Sequence, residues 1–432
     1  MSSFLNGIHT PHRKNTLNKP TVHIPTPKTV TIPMVMHIGR PAAPTVKVGD
    51  LVKVGTLIGE AGAGISSPVF ASVSGKVIRI TDLLQSNGTT VPAVVIESDG
   101  AMTPDETLAA PVVESREDLL DAVKASGIVG LGGAGFPTHV KLNVGDKPID
   151  YLVINGAECE PYVTSDTVTM LTRGQDMANA LKALKRWLNI DRVIIGIENN
   201  KKEAIAAMKQ LAETLDEVKL EVKTLPAVYP QGGEKVLVYH TTGRKIPAGK
   251  LPIDAGCVVI NCTTLAALGT YLATGMPLVE KCVTVDGGAV KEPQNVIAPI
   301  GTTLQELFDF CGGLTEHPSK ILYGGPMMGI TVPNAEVPVI KNTNAVLALT
   351  AKETWLPETS ACIRCGSCTN TCPFGLDPAE MSRAYDKKDV DALRALHADV
   401  CMECGCCGFV CPANRPLVQQ NRLAKQLLRE KR

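Results

Sequence analysis

Aromatic residues and net charge are both scarce in this chain. Phe, Trp and Tyr make up only 4% of 432 residues, and 43 basic side chains are balanced by 43 acidic ones. A neutral chain gives no reason to expect nucleic acid as a partner, because proteins that bind nucleic acids usually carry clustered positive charge. No apolar run approaches the roughly 18 residues that a membrane-spanning helix needs. We therefore expect a chain that is soluble or peripheral to a membrane, with no transmembrane segment of its own.

The sequence also lacks a recognisable secretory signal, although it contains 14 cysteines. Disulfides are uncommon in long chains that stay in a reducing compartment, so we do not expect these cysteines to form a disulfide framework. Their spacing points to metal ligation instead.

The cysteine pattern is the most specific feature of the sequence. Two copies of Cys-x2-Cys-x2-Cys-x3-Cys-Pro lie within residues 362–412. In such a run the first three thiolates hold one iron–sulfur cluster and the fourth ligates the neighbouring cluster. We therefore predict two [4Fe–4S] clusters with crossed ligands. The first is assigned to Cys362, Cys365, Cys368 and Cys411, and the second to Cys401, Cys404, Cys407 and Cys372.

A zinc site is the main alternative for these cysteines, but it would use two Cys-x2-Cys pairs and leave the others idle. The linker between the motifs indicates helices. Asp377 and Pro378 have the residue types of an N-cap and a first helical position, and apolar residues recur at helical spacing from Met381 to Leu396. We expect residues 355–432 to form a helical two-cluster domain that conducts electrons.

Residues 1–98 fall into two segments with different sequence patterns. Residues 1–30 are interrupted by four prolines, which predicts an extended arm lying over another domain. Residues 31–98 contain short Val and Ile runs separated by glycine turns, and they resemble the barrel sandwich of biotinyl and lipoyl carrier domains. Carrier domains present a lysine on a hairpin tip, but no lysine lies between Glu60 and Gly75. We therefore expect a structural or docking role for this barrel.

Residues 115–280 alternate between helical and strand patterns, which is typical of an α/β domain. A loop with four glycines, residues 130–135, lies between helical patterns and would let backbone N–H groups approach a phosphate. Further along, the apolar run 151–154 ends in Asn155, Glu158 and Glu160. Ligand contacts are expected at the carboxyl end of such a strand in an open sheet.

These segments resemble the flavin-binding subunit of respiratory complex I. The resemblance rests on the loop 132–138 with Lys141, and on residues 155–161, 229–234, 258–261 and 324–326. It extends to residues 281–345, which resemble the small β-grasp (SLBB-like) domain that follows the flavin domain in that family. Ala157 and Gly233 depart from the family pattern, where acidic residues are expected.

The resemblance implies a non-covalent FMN and a site for NAD(H). It assigns FMN contacts to Gly132, Gly133, Ala134, Gly135, Lys141, Asn155, Glu158, Gly232 and Asn261. It assigns the nicotinamide side of the pocket to Phe136, Glu158, Glu160 and Glu234. A flavin is required because NADH gives up two electrons as hydride, whereas an iron–sulfur cluster accepts one.

The order of the modules is similar to that of one family, the RnfC proteins of the ion-translocating ferredoxin:NAD oxidoreductase (Rnf) complexes. The resemblance implies a multidomain α+β fold and a peripheral position on the cytoplasmic face of the membrane. It also implies other Rnf proteins as partners, and ferredoxin as an indirect one. Two alternatives stay open, a soluble flavin-dependent cobalamin reductase and a non-enzymatic electron conduit or scaffold whose nucleotide pocket is vestigial.

Overall fold

The structure is a computed structural model that describes residues 5–86 and 88–431. The first four residues of the expected arm and the last residue of the expected cluster domain lie outside this range. No helix in the described part of the chain is both long and apolar enough to cross a membrane.

The N-terminal arm is extended and ends in a short strand, β1 (Thr21–His23). A barrel sandwich follows, built from two small sheets with strand orders β2-β8-β7-β4 and β3-β5-β6. Its strands are β2 (Thr29–Pro33), β3 (Ala43–Pro44), β4 (Leu51–Val52), β5 (Leu57–Glu60), β6 (Val69–Phe70), β7 (Gly75–Leu84) and β8 (Thr90–Ser98). Its core is aliphatic, and Ile300 of a later domain completes it. The connection between β5 and β6 is tied to the segment before β3, since the Arg40 N–H donates to the Ile65 carbonyl at 2.8 Å.

The α/β domain contains a parallel sheet with strand order β11-β10-β9-β12. Its strands are β9 (Tyr151–Asn155), β10 (Arg192–Glu198), β11 (Leu220–Leu225) and β12 (Cys257–Asn261). Its helices are α1 (Arg116–Ala125), α2 (Thr138–Leu142), α3 (Ser165–Thr172), α4 (Gly174–Leu188), α5 (Lys202–Thr214), α6 (Glu234–Thr242) and α7 (Cys262–Thr274), with a 3-10 turn at Pro252–Ala255. The strands are nearly continuous apolar runs because helices cover both faces of a parallel sheet.

The strand order reverses between β9 and β12. From β9 the chain moves outward through β10 to β11, and then returns to place β12 on the other side of β9. Such a reversal opens a crevice at the carboxyl ends of the two strands, which is where open α/β sheets bind ligands. Asn155 and Asn261 end these strands and are register partners.

The third domain is a β-grasp whose sheet accepts β1 of the arm at its edge, in the order β1-β14-β13-β17-β15-β16. Its elements are β13 (Glu280–Asp286), β14 (Gln294–Pro299), α8 (Leu304–Phe310), β15 (Lys320–Tyr323), β16 (Ile330–Thr331), β17 (Ala345–Leu349) and α9 (Ala351–Thr354). Helix α8 packs on the sheet through Leu304, Leu307 and Phe308, which are fully buried.

The C-terminal domain is helical. It contains α10 (Ser367–Asn370), α11 (Pro378–Asp386), α12 (Val390–Ala395), a 3-10 turn at Ala398–Val400, α13 (Cys406–Phe409) and α14 (Leu417–Glu430). The cap predicted at Asp377 is confirmed, since its carboxylate accepts the N–H groups of Ala379 and Glu380 at 3.1 and 3.0 Å. The predicted helical period is confirmed too, because Met381 and Leu393 lie in the buried core of this domain.

Candidate flavin, nucleotide and iron–sulfur sites

The glycine-rich loop leaves its tip exposed at the crevice. The Gly130 N–H donates to the Phe136 carbonyl at 2.8 Å and closes the loop at its base. A Cβ atom placed on Gly132 would lie 2.4 Å from the Asn261 side-chain amide, whereas one on Gly133 would meet no atom within 4 Å. Gly132 therefore permits close packing, and Gly133 faces open space. Between Gly133 and Gly135, Ala134 is also exposed, and the Phe136 side chain is half-buried.

Two residues from other domains hold this loop, and sequence reasoning missed both. The Asn342 amide donates to the Gly133 carbonyl at 2.9 Å, and the Ile38 N–H donates to the Gly135 carbonyl at 3.1 Å. Because a peptide group is planar and trans, the N–H groups that follow these carbonyls point the opposite way. The β-grasp and the barrel thus orient loop N–H groups away from themselves. Nothing in the local pattern around Ile38 or Asn342 signals these contacts.

Two asparagines at the strand ends hold the floor of the crevice. The Asn155 amide donates to the Gly232 carbonyl at 2.9 Å, which ties β9 to the loop before α6. The side-chain Oδ1 of Asn261 accepts the N–H groups of Thr263 and Thr264, so it caps α7. The structure brings both asparagines and Gly232 to one edge of the sheet, together with the tip of the glycine-rich loop.

Lys141 and Glu234 form an ion pair across the crevice. The Lys141 Nζ lies 2.8 Å from a carboxylate oxygen of Glu234, and the two side chains stay 32% and 41% exposed. The pair joins the helix that follows the glycine-rich loop to the first residue of α6. Since both ends are accessible, this cation and this carboxylate can also contact a ligand.

Glu158 is used differently in the structure. Its carboxylate accepts the N–H of Asp166 at 2.6 Å and the hydroxyl of Thr167 at 2.5 Å, so it caps helix α3. The side chain is only 8% exposed, and burial raises its pKa above the ordinary range. Both carboxylate oxygens are thus already hydrogen-bonded within the protein. The predicted contact of this carboxylate with a nucleotide stays a prediction.

Glu160 joins the flavin-type domain to the β-grasp. Its two carboxylate oxygens accept the N–H groups of Met327 and Met328 at 2.9 and 2.7 Å. Burial raises the pKa of Glu160 to about 7, although these two N–H groups act in the opposite direction. The absence of a side chain at Gly325 makes this contact possible, since a Cβ atom there would lie 2.3 Å from the carboxylate.

The eight motif cysteines line two separate cavities in crossed sets. Cys372 lines one cavity together with Cys401, Cys404 and Cys407, the first three cysteines of the second motif. Cys411 lines the other cavity together with Cys362, Cys365 and Cys368. In the cavity of the second motif, Asn421, which is 1% exposed, donates its side-chain N–H to the Cys401 sulfur at 3.8 Å. Each cavity thus offers the four thiols that a [4Fe–4S] cluster requires.

The flavin-type domain contacts the Cys404 side of the cluster domain directly. The Tyr229 hydroxyl donates to the Cys404 carbonyl at 2.6 Å, and the Cys406 thiol packs on the Tyr229 carbonyl. A Cβ atom on Gly233 would lie 2.3 Å from the Met402 methyl group. The glycine that departs from the complex I pattern therefore gives room to the cluster domain.

The residues present fit both kinds of cofactor. Open space at Gly133 and the accessible Lys141 suit a phosphate group, and the two four-cysteine cavities suit cubane clusters. The arrangement defines a class of protein, the flavin- and iron–sulfur-containing electron-transfer proteins.

Comparison with family models matches the domains in the same order. The RnfC barrel sandwich hybrid domain matches residues 2–101, and the Nuo51 FMN-binding domain matches residues 123–270. The SLBB domain matches residues 282–331, and the 4Fe-4S dicluster domain matches residues 355–412. The expected multidomain α+β fold is confirmed.

Curated relatives match almost the whole chain. The RnfC-type protein of the Na(+)-translocating ferredoxin:NAD(+) oxidoreductase complex of Acetobacterium woodii is 42% identical, covering 98% of this chain and 96% of the relative. Its counterpart in the proton-translocating complex of Clostridium ljungdahlii is 41% identical, covering 88% and 84%. The counterpart in the ion-translocating oxidoreductase complex of Rhodobacter capsulatus is 40% identical, covering 99% and 84%. The chain belongs to this RnfC family.

A solved structure supports the fold at greater distance. A chain of an NAD+-reducing [NiFe]-hydrogenase, in the air-oxidized state, superposes with a TM-score of 0.51 at 18% identity. The match covers 74% of this chain and 64% of that one. At this identity the likeness concerns the fold alone.

Proposed function

We propose that this chain is the NAD(H)-reactive component of a membrane-bound, ion-translocating ferredoxin:NAD+ oxidoreductase complex. It lies on the cytoplasmic face of the membrane, binds other Rnf proteins, and receives electrons from ferredoxin through them. When bound, FMN supplies the exchange between hydride and single electrons that NAD(H) and two [4Fe–4S] clusters require. The observation that carries this proposal is the direct contact of Tyr229 and Gly233, at the crevice, with the loop that holds Cys404.

The roles of the pocket residues follow from their contacts. Gly132, Gly133, Ala134 and Gly135 present the loop backbone to FMN, and Asn155, Gly232 and Asn261 form the floor beneath it. Lys141 offers a cation to a phosphate group, since its side chain remains accessible. We assign the loop as the phosphate contact because backbone N–H groups near a helix N-terminus bind anions.

The carboxylates divide into two groups. Glu234 is accessible and is therefore the carboxylate best placed to accept a ribose hydroxyl, and we assign the half-buried ring of Phe136 to the nicotinamide side of the pocket. Glu158 and Glu160 act through the segments that they hold, helix α3 and the turn at Met327. In this proposal they shape the nicotinamide side of the pocket without using a free oxygen.

Anaerobic addition of NADH to the purified chain tests the proposal. The flavin absorbance should bleach before part of the cluster absorbance is lost, because hydride needs the flavin as a converter. Protein that contains FMN and iron but does not respond to NADH would support the conduit alternative.

A pair of variants locates the nucleotide. Glu234→Gln should raise the KM for NADH while FMN and iron contents stay at the wild-type level, because it removes an accessible charged acceptor. Glu217→Gln, at an exposed carboxylate just beyond the end of α5, is the matched control and should change nothing. An unchanged KM in Glu234→Gln would remove this residue from the nucleotide site.

A further inference from the structure

The N-terminal arm lies along the carboxyl edge of the flavin-type domain. The Leu5 N–H donates to the His240 ring at 2.9 Å, and Ile8 and Tyr229 exchange two backbone hydrogen bonds of 2.8 and 2.9 Å. The Thr371 hydroxyl of the cluster domain donates to the Gly7 carbonyl at 3.1 Å. The arm therefore passes over the loop of Tyr229 before it reaches the loop that follows β9.

Lys14 of the arm inserts into the loop of residues 158–163. Its Nζ donates to the backbone carbonyls of Glu158, Glu160 and Val163 at 3.0, 2.8 and 2.5 Å. An ammonium group has three donors and no acceptor, so these contacts satisfy it completely. One side chain of the arm thus holds three carbonyls of the loop that carries both glutamates.

Neighbouring residues of the arm fasten the same loop. The Tyr162 N–H donates to the His12 carbonyl at 3.0 Å, and the Arg13 guanidinium donates to the Tyr162 hydroxyl at 2.6 Å. The buried Thr16 hydroxyl lies 2.5 Å from the hydroxyl of Thr164. These contacts surround Lys14 on both sides and fix the register of the arm on the loop.

The loop needs such support because its backbone is strained. Glu158 has a φ of +48° and Tyr162 a φ of +69°, and side chains other than glycine rarely adopt this left-handed region. Each such residue costs on the order of 1 kcal/mol and persists only where the surroundings hold it. Three carbonyl oxygens that converge on one point also repel one another unless a cation lies between them.

We infer that Lys14 is a positioning residue for the nucleotide side of the pocket, since it holds the 158–163 loop in its strained conformation. The inference rests on the proposed function, in which this loop borders the NADH site. It extends the site to the N-terminal arm, a segment outside the α/β domain. Lys14 acts through Glu158 and Glu160, which cap α3 and anchor the turn at Met327.

Steady-state oxidation of NADH by the full-length holoprotein, with a one-electron artificial acceptor, tests the inference. Lys14→Met keeps the unbranched stem of the side chain as far as Cε and removes the ammonium group with its donors. We expect the KM for NADH to rise on the order of tenfold, because a displaced loop would weaken nucleotide binding equally in the ground state and the transition state, at a cost of about 1.4 kcal/mol. The kcat, the FMN content and the iron content should stay within about twofold of wild type.

Lys19→Met is the matched control on the same arm. Lys19 is exposed and donates to the Pro293 carbonyl of the β-grasp, away from the loop. It should leave KM unchanged. Arg13→Gln, at a side chain that is 50% exposed, should raise KM in the same direction but by less. This second variant keeps the test decisive if Lys14→Met does not fold.

The outcomes separate the inference from the proposed function. Wild-type holoprotein that fails to oxidise NADH would overturn the proposed function itself. An active wild type with an unchanged KM in Lys14→Met, or in Arg13→Gln where the first variant does not fold, would overturn the inference alone. Loss of FMN together with NADH binding in Lys14→Met would also overturn it, because the arm would then support the whole domain and not the nucleotide side.

Discussion

At the scale of single residues, Gly133 lies at the exposed tip of the glycine-rich loop, where an added Cβ atom meets no protein atom. Gly133→Val should therefore fold normally and yet lose FMN, because its side chain would fill the space that the phosphate needs. Measurement of flavin released by mild acid, relative to iron, checks this expectation. Gly174→Val adds the same side chain where there is also room and should keep full flavin occupancy. Full occupancy in Gly133→Val would contradict the loop assignment.

The buried His37 makes stability depend on pH. Burial, and then the nearby Lys341, lower its pKa from 6.5 to about 4. Below about pH 6.5 the unfolded chain binds a proton that the folded protein excludes. Stability that is fully present above pH 6.5 is therefore lost as the pH falls toward 4, by on the order of 3 kcal/mol over the whole range.

The expected result for His37→Gln is a weaker pH dependence than in wild type. Between pH 6.5 and pH 4, the acid limb of the stability curve, the thermal unfolding midpoint should fall less in the variant than in wild type. The substitution removes the imidazole that takes up the proton on unfolding. His23→Gln, at an exposed position on β1, serves as the control and should follow the wild-type curve. Identical curves for wild type and His37→Gln would show that this imidazole does not govern the acid limb.

At the scale of elements, the two short helices α10 and α13 each carry the third ligand cysteine of one motif, Cys368 or Cys407, and they pack against each other. The fourth cysteine of each motif lies just beyond its helix and lines the cavity of the other motif. Cys411→Ser should therefore damage the cluster held by the first motif and leave the second intact. Electron paramagnetic resonance spectra of the reduced protein distinguish the two clusters.

Cys406→Ala is the matched control for that experiment. Cys406 is 1% exposed and lines the cavity of the second motif, but its thiol donates to the Tyr229 carbonyl at 3.9 Å, and it has no place in the cavity of the first motif. Its replacement should cost about 1 kcal/mol of packing and leave the iron content alone. Loss of only the second motif's cluster in Cys411→Ser would show that each motif keeps its own fourth ligand.

At the scale of the whole molecule, one lysine joins three domains. The Lys341 Nζ of the β-grasp, 1% exposed, donates to the Pro68 carbonyl of the barrel at 2.5 Å and to the Gly127 carbonyl of the α/β domain at 2.7 Å. It also donates to the Ser67 hydroxyl at 3.2 Å. Next to it, Asn342 holds the glycine-rich loop. The barrel and the flavin-type loop are thus fastened from the same point.

Lys341→Met should loosen the barrel from the rest of the molecule. It leaves buried carbonyls without a donor, so we expect a loss of about 2–4 kcal/mol and an earlier unfolding step. Limited proteolysis should then cut the linker near residues 99–115 faster than in wild type. Lys291→Met, at an exposed position of the same domain, is the control. Equal cleavage rates in Lys341→Met and wild type would contradict this role.

Several features were predictable from the sequence because their signals are local. Ligand spacing within each cysteine motif, the Asp377–Pro378 cap and the apolar strand before Asn155 all depend on residues within a few positions of one another. The crossing of Cys372 and Cys411 followed from a known spacing rule, and the cavities place them in the same way. The order of the domains was predictable for the same reason, since each domain has its own local spacing of apolar and turn residues.

Other features were decided only by the tertiary structure. The resemblance assigned Glu158 and Glu160 to the nicotinamide side of the pocket, and only the structure shows that both carboxylates are hydrogen-bonded within the protein. The contact of Lys14 with Glu158 spans 144 positions, and that of Lys341 with Gly127 spans 214. No spacing or periodicity encodes such pairs, because they arise only when separate domains pack. The sequence by itself therefore determined which cofactors the chain is built to hold, whereas the packing of the arm, barrel and β-grasp decided which residues hold the pocket in shape.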